Sequence, residues 1–271
     1  MDYLQALIIA IVDGLTEFLP ISSTAHMKFI HPLLHVTDTP FVMMYEVVIQ
    51  LAAILAVVVL YWKKFFDFKR ISFYIKLVIA VIPALIGGFF LKKHIDAALG
   101  DLHFIAWVMV IGGVLLLFVD DIFKRASIDS EEKVTNKTAF IIGCGQVLSI
   151  VFPGLSRSAA TIVTGMSQKL TRSAAAEFSF FLAVPTMLAA SVYSFWTTYK
   201  KNPEVLASHN LGMLLIGSIV AFAVAVFAIK SFIDLLKKYG FRMWGVYRII
   251  AGLTMLFLIY KGIVQQEVLN P

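Results

Sequence analysis

The sequence predicts an all-α, polytopic membrane protein that forms a single domain of 271 residues. Apolar residues make up 60% of the chain and charged residues only 15%, whereas soluble domains carry about 45–50% and about 25%. The apolar residues are concentrated in long runs, and no polar linker is long enough to divide the chain. The net charge of +6 comes from basic residues that flank these runs, which is typical of membrane orientation and not of nucleic-acid binding.

Six segments are long and apolar enough to cross about 30 Å of hydrocarbon as helices. They are residues 42–62, 73–91, 104–119, 178–196, 211–229 and 246–260. Two further apolar runs, 4–12 and 139–152, are too short to cross alone, and each leads into a stretch rich in Ser and Pro. Such runs favour re-entrant helical hairpins, which enter the membrane and return to the same side.

The order of these segments occurs twice along the chain. A short apolar run, a Ser-rich loop and three long spans fill repeat 1, residues 1–122, and the same order fills repeat 2, residues 136–271. Three full spans is an odd number, so the second copy is inverted if both hairpins return to their own side. An inverted-topology repeat brings its interrupted helices together near the membrane midplane.

The distribution of Lys and Arg predicts the orientation. Fourteen of these residues lie in loops at one end of the predicted spans and five at the other; the fourteen belong to residues 63–72, 120–138, 167–177 and 230–245. Cytoplasmic loops carry the basic excess, so the first hairpin is expected to enter from outside and the second from the cytoplasm. Arg248, near the end of a span, is expected to extend towards the interface.

Two acidic residues in the first hairpin indicate a cation site. Asp13 and Glu17 are four residues apart, so on a helix they share one face. Two neighbouring carboxylates in an apolar layer repel each other unless a cation neutralises them. We expect an oxygen-preferring divalent cation, Mg²⁺ or Ca²⁺, as the cofactor at this pair.

Hydroxyl residues and a histidine follow directly. Pro20 ends or redirects the helix, and Ser22, Ser23 and Thr24 come just after it. The free N–H groups of a helix that begins here would bind a phosphate, with the three hydroxyls beside it. His26 lies three residues after Ser23, and a serine beside a base is the minimal arrangement of an activated nucleophile.

The turn of the second hairpin offers a cation and more hydroxyls, at Ser156, Arg157, Ser158 and Thr161. The guanidinium fork of Arg157 suits two phosphate oxygens at once, and we expect the hydroxyls to bind the same phosphate. An arginine at membrane depth needs an anionic ligand or a carboxylate partner. The alternative for Arg157 is therefore a structural ion pair with Glu17 or Glu177.

Two motifs resemble a known family. Residues 13–26, DGLTEFLPISSTAH, and residues 153–161, PGLSRSAAT, resemble the signatures of the undecaprenyl-diphosphate phosphatase family, also called the UppP or BacA family. These signatures are an acidic (E/Q)xxxE helix and PGxSRSxxT. The second is matched at every fixed position, whereas Asp13 stands where Glu or Gln is usual. The resemblance covers the whole chain.

The resemblance implies removal of the terminal phosphate from undecaprenyl (C55) diphosphate, which regenerates the lipid monophosphate that carries cell-wall precursors for peptidoglycan synthesis. It implies a multi-pass protein of the bacterial plasma (inner) membrane, surrounded by membrane lipids, with its site towards the outer face. It also implies dependence on a divalent cation, and bacitracin resistance when the protein is abundant.

The residues predict a mechanism and leave alternatives open. Ser23 is the expected nucleophile, with Glu17 or His26 as its base, and Arg157 stabilises the transferring phosphoryl group. The alternative nucleophile is His26. A different function, transport of a lipid phosphate across the bilayer, uses the same inverted-repeat architecture. The sequence leaves the oligomeric state open, a homodimer included.

Overall fold

A computed structural model describes residues 1–264, and the predicted second repeat therefore ends with residues 265–271 outside the described part. Within residues 1–264 the chain is helical apart from turns, loops and one isolated bridge between residues 128 and 170. Its α-helices are, in chain order, α1 (Tyr3–Thr16), α2 (Ser23–Leu33), α3 (Pro40–Leu60), α4 (Trp62–Phe65), α5 (Ile71–Phe90), α6 (Lys92–Gly100), α7 (Leu102–Ile122), α8 (Asn136–Val151), α9 (Arg157–Ser167), α10 (Arg172–Lys201), α11 (Ser208–Tyr239) and α12 (Arg242–Tyr260).

Within residues 1–264, six helices are long and apolar enough to cross a membrane, namely α3, α5, α7, α10, α11 and α12. They confirm the six predicted spans. In each, no more than half of the most apolar window is buried inside the protein, which leaves an apolar face for lipid. Each helix begins before its predicted first residue, and α7, α10 and α11 also end after their predicted last residue, because residues that flank the apolar runs continue the same helix. The span predicted over 104–119, for example, runs from Leu102 to Ile122.

The two short apolar runs form α1 and α8, and each continues through a turn into a second short helix. We call α1 with α2 hairpin 1 and α8 with α9 hairpin 2. At the start of α1, Gln5 Nε2 donates to the Leu34 carbonyl just after α2, at 2.9 Å. Before α8, the amides of Ser127 and Ile128 donate to the Lys169 carbonyl just after α9, both at 2.9 Å. The two ends of hairpin 1 therefore lie close together, and the loop that precedes hairpin 2 contacts the end of that hairpin.

Both hairpins reverse direction in the same way. Ser22 and Ser156 have φ values of 69° and 76°, a region that costs a non-glycine residue about 1–3 kcal/mol. Each serine caps the helix that follows: Ser22 Oγ accepts from the Ala25 amide and Ser156 Oγ from the Ala159 amide, both at 3.3 Å. The two halves thus share an unusual local conformation at equivalent positions.

Several helix contacts are related by exchange of the two predicted halves. Helix α1 of hairpin 1 packs against α11, and α8 of hairpin 2 packs against α5. The first long helices, α3 and α10, contact each other, and so do the last, α7 and α12. Exchanging the halves leaves these pairings unchanged.

The four basic loops meet at one end of the bundle. Lys64 Nζ lies 2.8 Å from Glu131 Oε1, and Arg172 Nε lies 2.6 Å from Asp120 Oδ1. Asp120 Oδ2 also accepts from the Phe241 amide at 2.7 Å. Although burial alone would raise the pKa of the Glu131 carboxyl, the hydrogen bond from Lys64 holds that pKa below its ordinary value. The loops that the charge count assigned to one side are therefore joined by hydrogen bonds.

Helices α7 and α12 contact each other through glycine. A Cβ atom on Gly113 would lie 2.8 Å from the Gly245 carbonyl oxygen, and one on Gly245 would lie 2.7 Å from the Gly113 oxygen. Small residues allow membrane helices to approach this closely. The last long helices of the two halves are thereby fixed against each other.

We predict that Gly113→Leu destabilises the protein. The added side chain has no space at the α7–α12 contact, and overpacking of this kind costs about 1–3 kcal/mol. The midpoint of thermal unfolding in detergent is expected to fall. Gly88→Leu is the control, because a Cβ atom there meets nothing within 4 Å; equal effects of the two substitutions would contradict the close packing.

Candidate active site

The turns of the two hairpins are joined directly. The hydroxyls of Ser158 and Ser156 donate to the Leu19 carbonyl in hairpin 1, at 2.7 and 3.3 Å. Gly154 has a φ of +99°, and a Cβ atom there would lie 2.6 Å from the Ile105 carbonyl oxygen. Only glycine fits this conformation and this close approach. The sequence PGxSRS therefore places one turn against the other.

Arg248 holds both turns against α7. Its side chain is fully buried, and its guanidinium donates to five backbone carbonyls at 2.6–3.4 Å, those of Pro20, Val108, Met109, Gly154 and Leu155. The expectation that Arg248 extends to the interface is therefore wrong. Carbonyls at interrupted helices lack helical partners, and the guanidinium satisfies three of them, those of Pro20, Gly154 and Leu155. Its bonds to Val108 and Met109 attach it to α7.

Glu17 joins the two halves of the site. The Ser23 hydroxyl donates to Glu17 Oε2 at 2.6 Å, and Arg157 Nη2 lies 3.3 Å from Glu17 Oε1. The Arg157 guanidinium also stands over the Phe18 ring, 5.8 Å from its centroid. The structure thus brings together three of the four predicted catalytic residues, and it also forms the ion pair that was the alternative for Arg157.

These residues line a cavity of about 300 Å³ between the hairpins, together with Ser22, Thr24 and Ser156. The first residues of α2 and of α9 both lie in its wall. The amides of Ser23, Thr24, Arg157 and Ser158 donate to no group in the described part of the chain. Two helix N-termini with free N–H groups therefore converge on one cavity, an arrangement that favours a phosphate.

His26, the fourth predicted catalytic residue, lies outside this cavity lining. Its Nδ1 is 2.7 Å from the Ser22 carbonyl oxygen, and its Nε2 is 2.7 Å from the Tyr247 hydroxyl. Because a carbonyl only accepts, Nδ1 carries the proton and Nε2 accepts from Tyr247. Both ring nitrogens are occupied, so Glu17 and not His26 is positioned to take the Ser23 proton.

Two predicted phosphate ligands are also turned away from the cavity. Ser158 uses its hydroxyl for the Leu19 carbonyl, and Thr161 Oγ1 lies 2.6 Å from Ser179 Oγ. Neither belongs to the cavity lining, and both are buried. Sequence spacing placed these hydroxyls near the turn correctly, but they hold the turn in place.

Asp13 is fully buried, and neither of its carboxylate oxygens has a hydrogen-bond partner within residues 1–264. It lies one helical turn before Glu17 and is not part of the cavity lining. Within the described residues, no three His, Cys, Asp or Glu side chains are grouped closely enough to hold a metal ion. Two carboxylates suit Mg²⁺, which takes most of its remaining ligands from water and substrate phosphates.

Several polar residues at the site were not predicted from the sequence. Gln50, Gln146 and Thr186 line the cavity, and Tyr247 binds His26. A signal was present for the two glutamines, because each is an isolated amide within an apolar run. Tyr247 lies 221 residues from His26, and no sequence spacing reveals such a contact.

Comparison with known proteins identifies relatives along nearly the whole chain. The sequence profile of the family described as "Bacitracin resistance protein BacA" matches residues 6–254. An undecaprenyl-diphosphatase of Porphyromonas gingivalis is 47% identical over 97% of this chain and 99% of its own. One of Flavobacterium psychrophilum is 48% identical over 95% and 96%, and one of Campylobacter jejuni is 40% identical over 97% of both chains.

We predict that Arg248→Lys lowers the midpoint of thermal unfolding. A lysine has three donors in place of five, so carbonyls at the two turns lose their partners, at about 1–3 kcal/mol for a buried polar group. Arg242→Lys, on the same helix, is the matched control, because Arg242 is exposed and makes an ion pair with Asp121 that is worth about 0–1 kcal/mol. Equal midpoints for the two variants would contradict the role of Arg248.

Proposed function

The chain belongs to the family of the bacitracin resistance protein BacA, and on this basis we propose that it hydrolyses undecaprenyl diphosphate in the cavity between its hairpins. It is a membrane phosphatase of bacteria that releases inorganic phosphate and returns undecaprenyl phosphate to cell-wall synthesis. The observation that carries the assignment is the Ser23–Glu17–Arg157 contact at two converging helix N-termini. The relatives give no support to the transport alternative.

Ser23 is the nucleophile in this proposal. Its hydroxyl donates to Glu17 at 2.6 Å, so Glu17 takes the proton as Ser23 Oγ attacks the terminal phosphorus. The bond between that phosphorus and the bridging oxygen breaks, and undecaprenyl phosphate leaves with the proton that Glu17 received. Water then hydrolyses the phosphoserine. Both ring nitrogens of His26 are hydrogen-bonded to other groups, which supports Ser23 and not His26 as the nucleophile.

Arg157 and the backbone stabilise the transferring phosphoryl group. The Arg157 guanidinium lies beside Glu17 at 3.3 Å. A bound diphosphate competes for the same guanidinium and offers it two oxygens. The free amides at the starts of α2 and α9 add donors that are fixed before the reaction begins. The charge of the phosphoryl group is therefore met by groups from both hairpins.

We assign the predicted divalent cation, Mg²⁺ or Ca²⁺, to Glu17 and Asp13. The unpartnered oxygens of buried Asp13 support this assignment, since an isolated carboxylate is costly away from water. When bound, such a cation neutralises phosphate charge. Asp13 and Glu17 would hold it on one face of α1.

The architecture is an inverted-topology repeat with two re-entrant hairpins, repeat 1 over 1–122 and repeat 2 over 136–271, within one membrane domain. The matching φ values of Ser22 and Ser156 and the exchangeable helix pairings support it. The basic loops mark the cytoplasmic end, so hairpin 1 enters from the opposite side and the site opens to the outer face. A homodimer stays a prediction that this site does not require.

We predict that purified protein in detergent releases phosphate from undecaprenyl diphosphate without any ion gradient. Ser23→Ala is expected to reduce turnover by at least about a thousandfold, because the nucleophile is lost. Arg157→Lys is expected to reduce it more than about tenfold, because a point charge does not replace the planar fork.

Ser167→Ala is the control for this assay, since Ser167 is exposed at the end of hairpin 2. Phosphate release that survives in Ser23→Ala would eliminate Ser23 as nucleophile. No release by the wild-type protein would overturn the assignment as a whole.

A further inference from the structure

Gln146 is a buried amide in the wall of the catalytic cavity. It lies on α8 of hairpin 2, is 1% exposed, and lines the same cavity as Glu17, Ser23 and Arg157. The mechanism described above gives it no role. A glutamine side chain is costly to bury in an apolar layer unless its amide groups are hydrogen-bonded.

The contacts of Gln146 define which end of the amide is free. Thr186 Oγ1 donates its only proton to the Leu182 carbonyl at 2.8 Å, so this hydroxyl accepts from its other neighbour. Gln146 Nε2 supplies that donor at 3.4 Å. Gln146 Oε1 has no hydrogen-bond partner in the described part of the chain, and a buried acceptor without a partner is destabilising.

Because Gln146 Oε1 is an acceptor without a partner, we expect it to bind a group that can donate a hydrogen bond. The phosphate oxygens of the substrate are acceptors and cannot satisfy it. Ser149 also lines the cavity, but its hydroxyl donates to the backbone carbonyl of Gln146 at 2.7 Å and not to Gln146 Oε1. The cavity of about 300 Å³ has room for a water molecule beside a phosphoryl group, since a water occupies about 30 Å³. Water is the one reactant of the hydrolysis that brings donors.

We propose that Gln146 Oε1 orients the water that hydrolyses the phosphoserine. The inference rests on the proposed two-step mechanism. One hydrogen of the water is held by Gln146 Oε1, and the other passes to Glu17 as the water oxygen attacks phosphorus. The bond between phosphorus and Ser23 Oγ breaks, and Ser23 Oγ receives that proton from Glu17. The products are inorganic phosphate and the restored serine.

The proposed role of Gln146 affects only the second of the two reaction steps. Water takes no part when Ser23 attacks the diphosphate, so Gln146 contributes nothing to the formation of the phosphoenzyme. It contributes only to breakdown, because an amide orients a water molecule without taking its proton. Loss of Gln146 Oε1 is therefore expected to slow one step and leave the other unchanged, which a general packing defect would not do.

The test uses the full chain in detergent with undecaprenyl diphosphate labelled in its terminal phosphate. Gln146→Met keeps the length of the side chain and removes its acceptor. After mixing, samples are quenched in acid, which preserves phosphoserine, and in alkali, which preserves phosphohistidine, and protein-bound label and free phosphate are measured over time. We expect turnover to fall by at least about tenfold, because the attacking water is no longer held in position. Label is expected to accumulate to nearly one phosphate for each protein chain.

Two further variants complete the experiment. Thr186→Val removes the hydroxyl that orients the amide and is expected to cause a smaller accumulation of label, which keeps the test informative if Gln146→Met does not fold. Gln168→Met is the matched control, the same substitution after α9, where the amide contacts Ser167 at the surface. It is expected to behave as the wild type.

The outcomes distinguish this role from the proposed function. Unchanged turnover in Gln146→Met, or slower turnover without bound label, would overturn the role of Gln146 and leave the phosphatase assignment intact. Label that accumulates on His26 in place of Ser23 would support the water-orienting role and reject Ser23 as nucleophile. No phosphate release by the wild-type protein would overturn the proposed function itself.

Discussion

The site depends on the ion pair between Glu17 and Arg157 within an apolar layer. Either charge alone would be expensive at that depth, since an unpaired buried ion costs several kcal/mol. One residue belongs to hairpin 1 and the other to hairpin 2, so the pair forms only where the two turns meet. In the proposed mechanism, a substrate phosphate competes with Glu17 for this guanidinium, so the ion pair that joins the two turns also positions a cation for an anion.

Hydrogen bonds to backbone carbonyls hold both turns. Arg248 satisfies five carbonyls from both turns and from α7, and Ser158 bonds across to Leu19. Ser22 and Ser156 adopt strained conformations, which persist only where the surroundings determine them. This rigid frame leaves the first amides of α2 and α9 free for the phosphoryl group, as electrostatic catalysis requires.

Much of the fold and part of the site could be predicted from local sequence. Hydropathy is a property of each segment, so it predicts the six spans correctly. Two short motifs predict Glu17, Ser23 and Arg157 as site residues, and the structure places these three side chains in contact at one cavity. Side-chain direction at a tight turn depends on tertiary contacts, which local sequence does not show. The motif therefore predicts Thr161 as a phosphate ligand, whereas its hydroxyl contacts Ser179. Arg248 binds backbone carbonyls of turns that lie far from it in the sequence. The periodicity of α12 does not reveal such contacts.

The most direct test of the central claim is a structure of Ser23→Ala bound to a methylene diphosphonate analogue of undecaprenyl diphosphate. The account predicts the terminal phosphonate between the Arg157 guanidinium and the starts of α2 and α9, with the Glu17–Arg157 contact lengthened or broken. A phosphonate bound elsewhere, for example in the cavity of about 530 Å³ beside Lys28 and His35, with that contact intact, would contradict it.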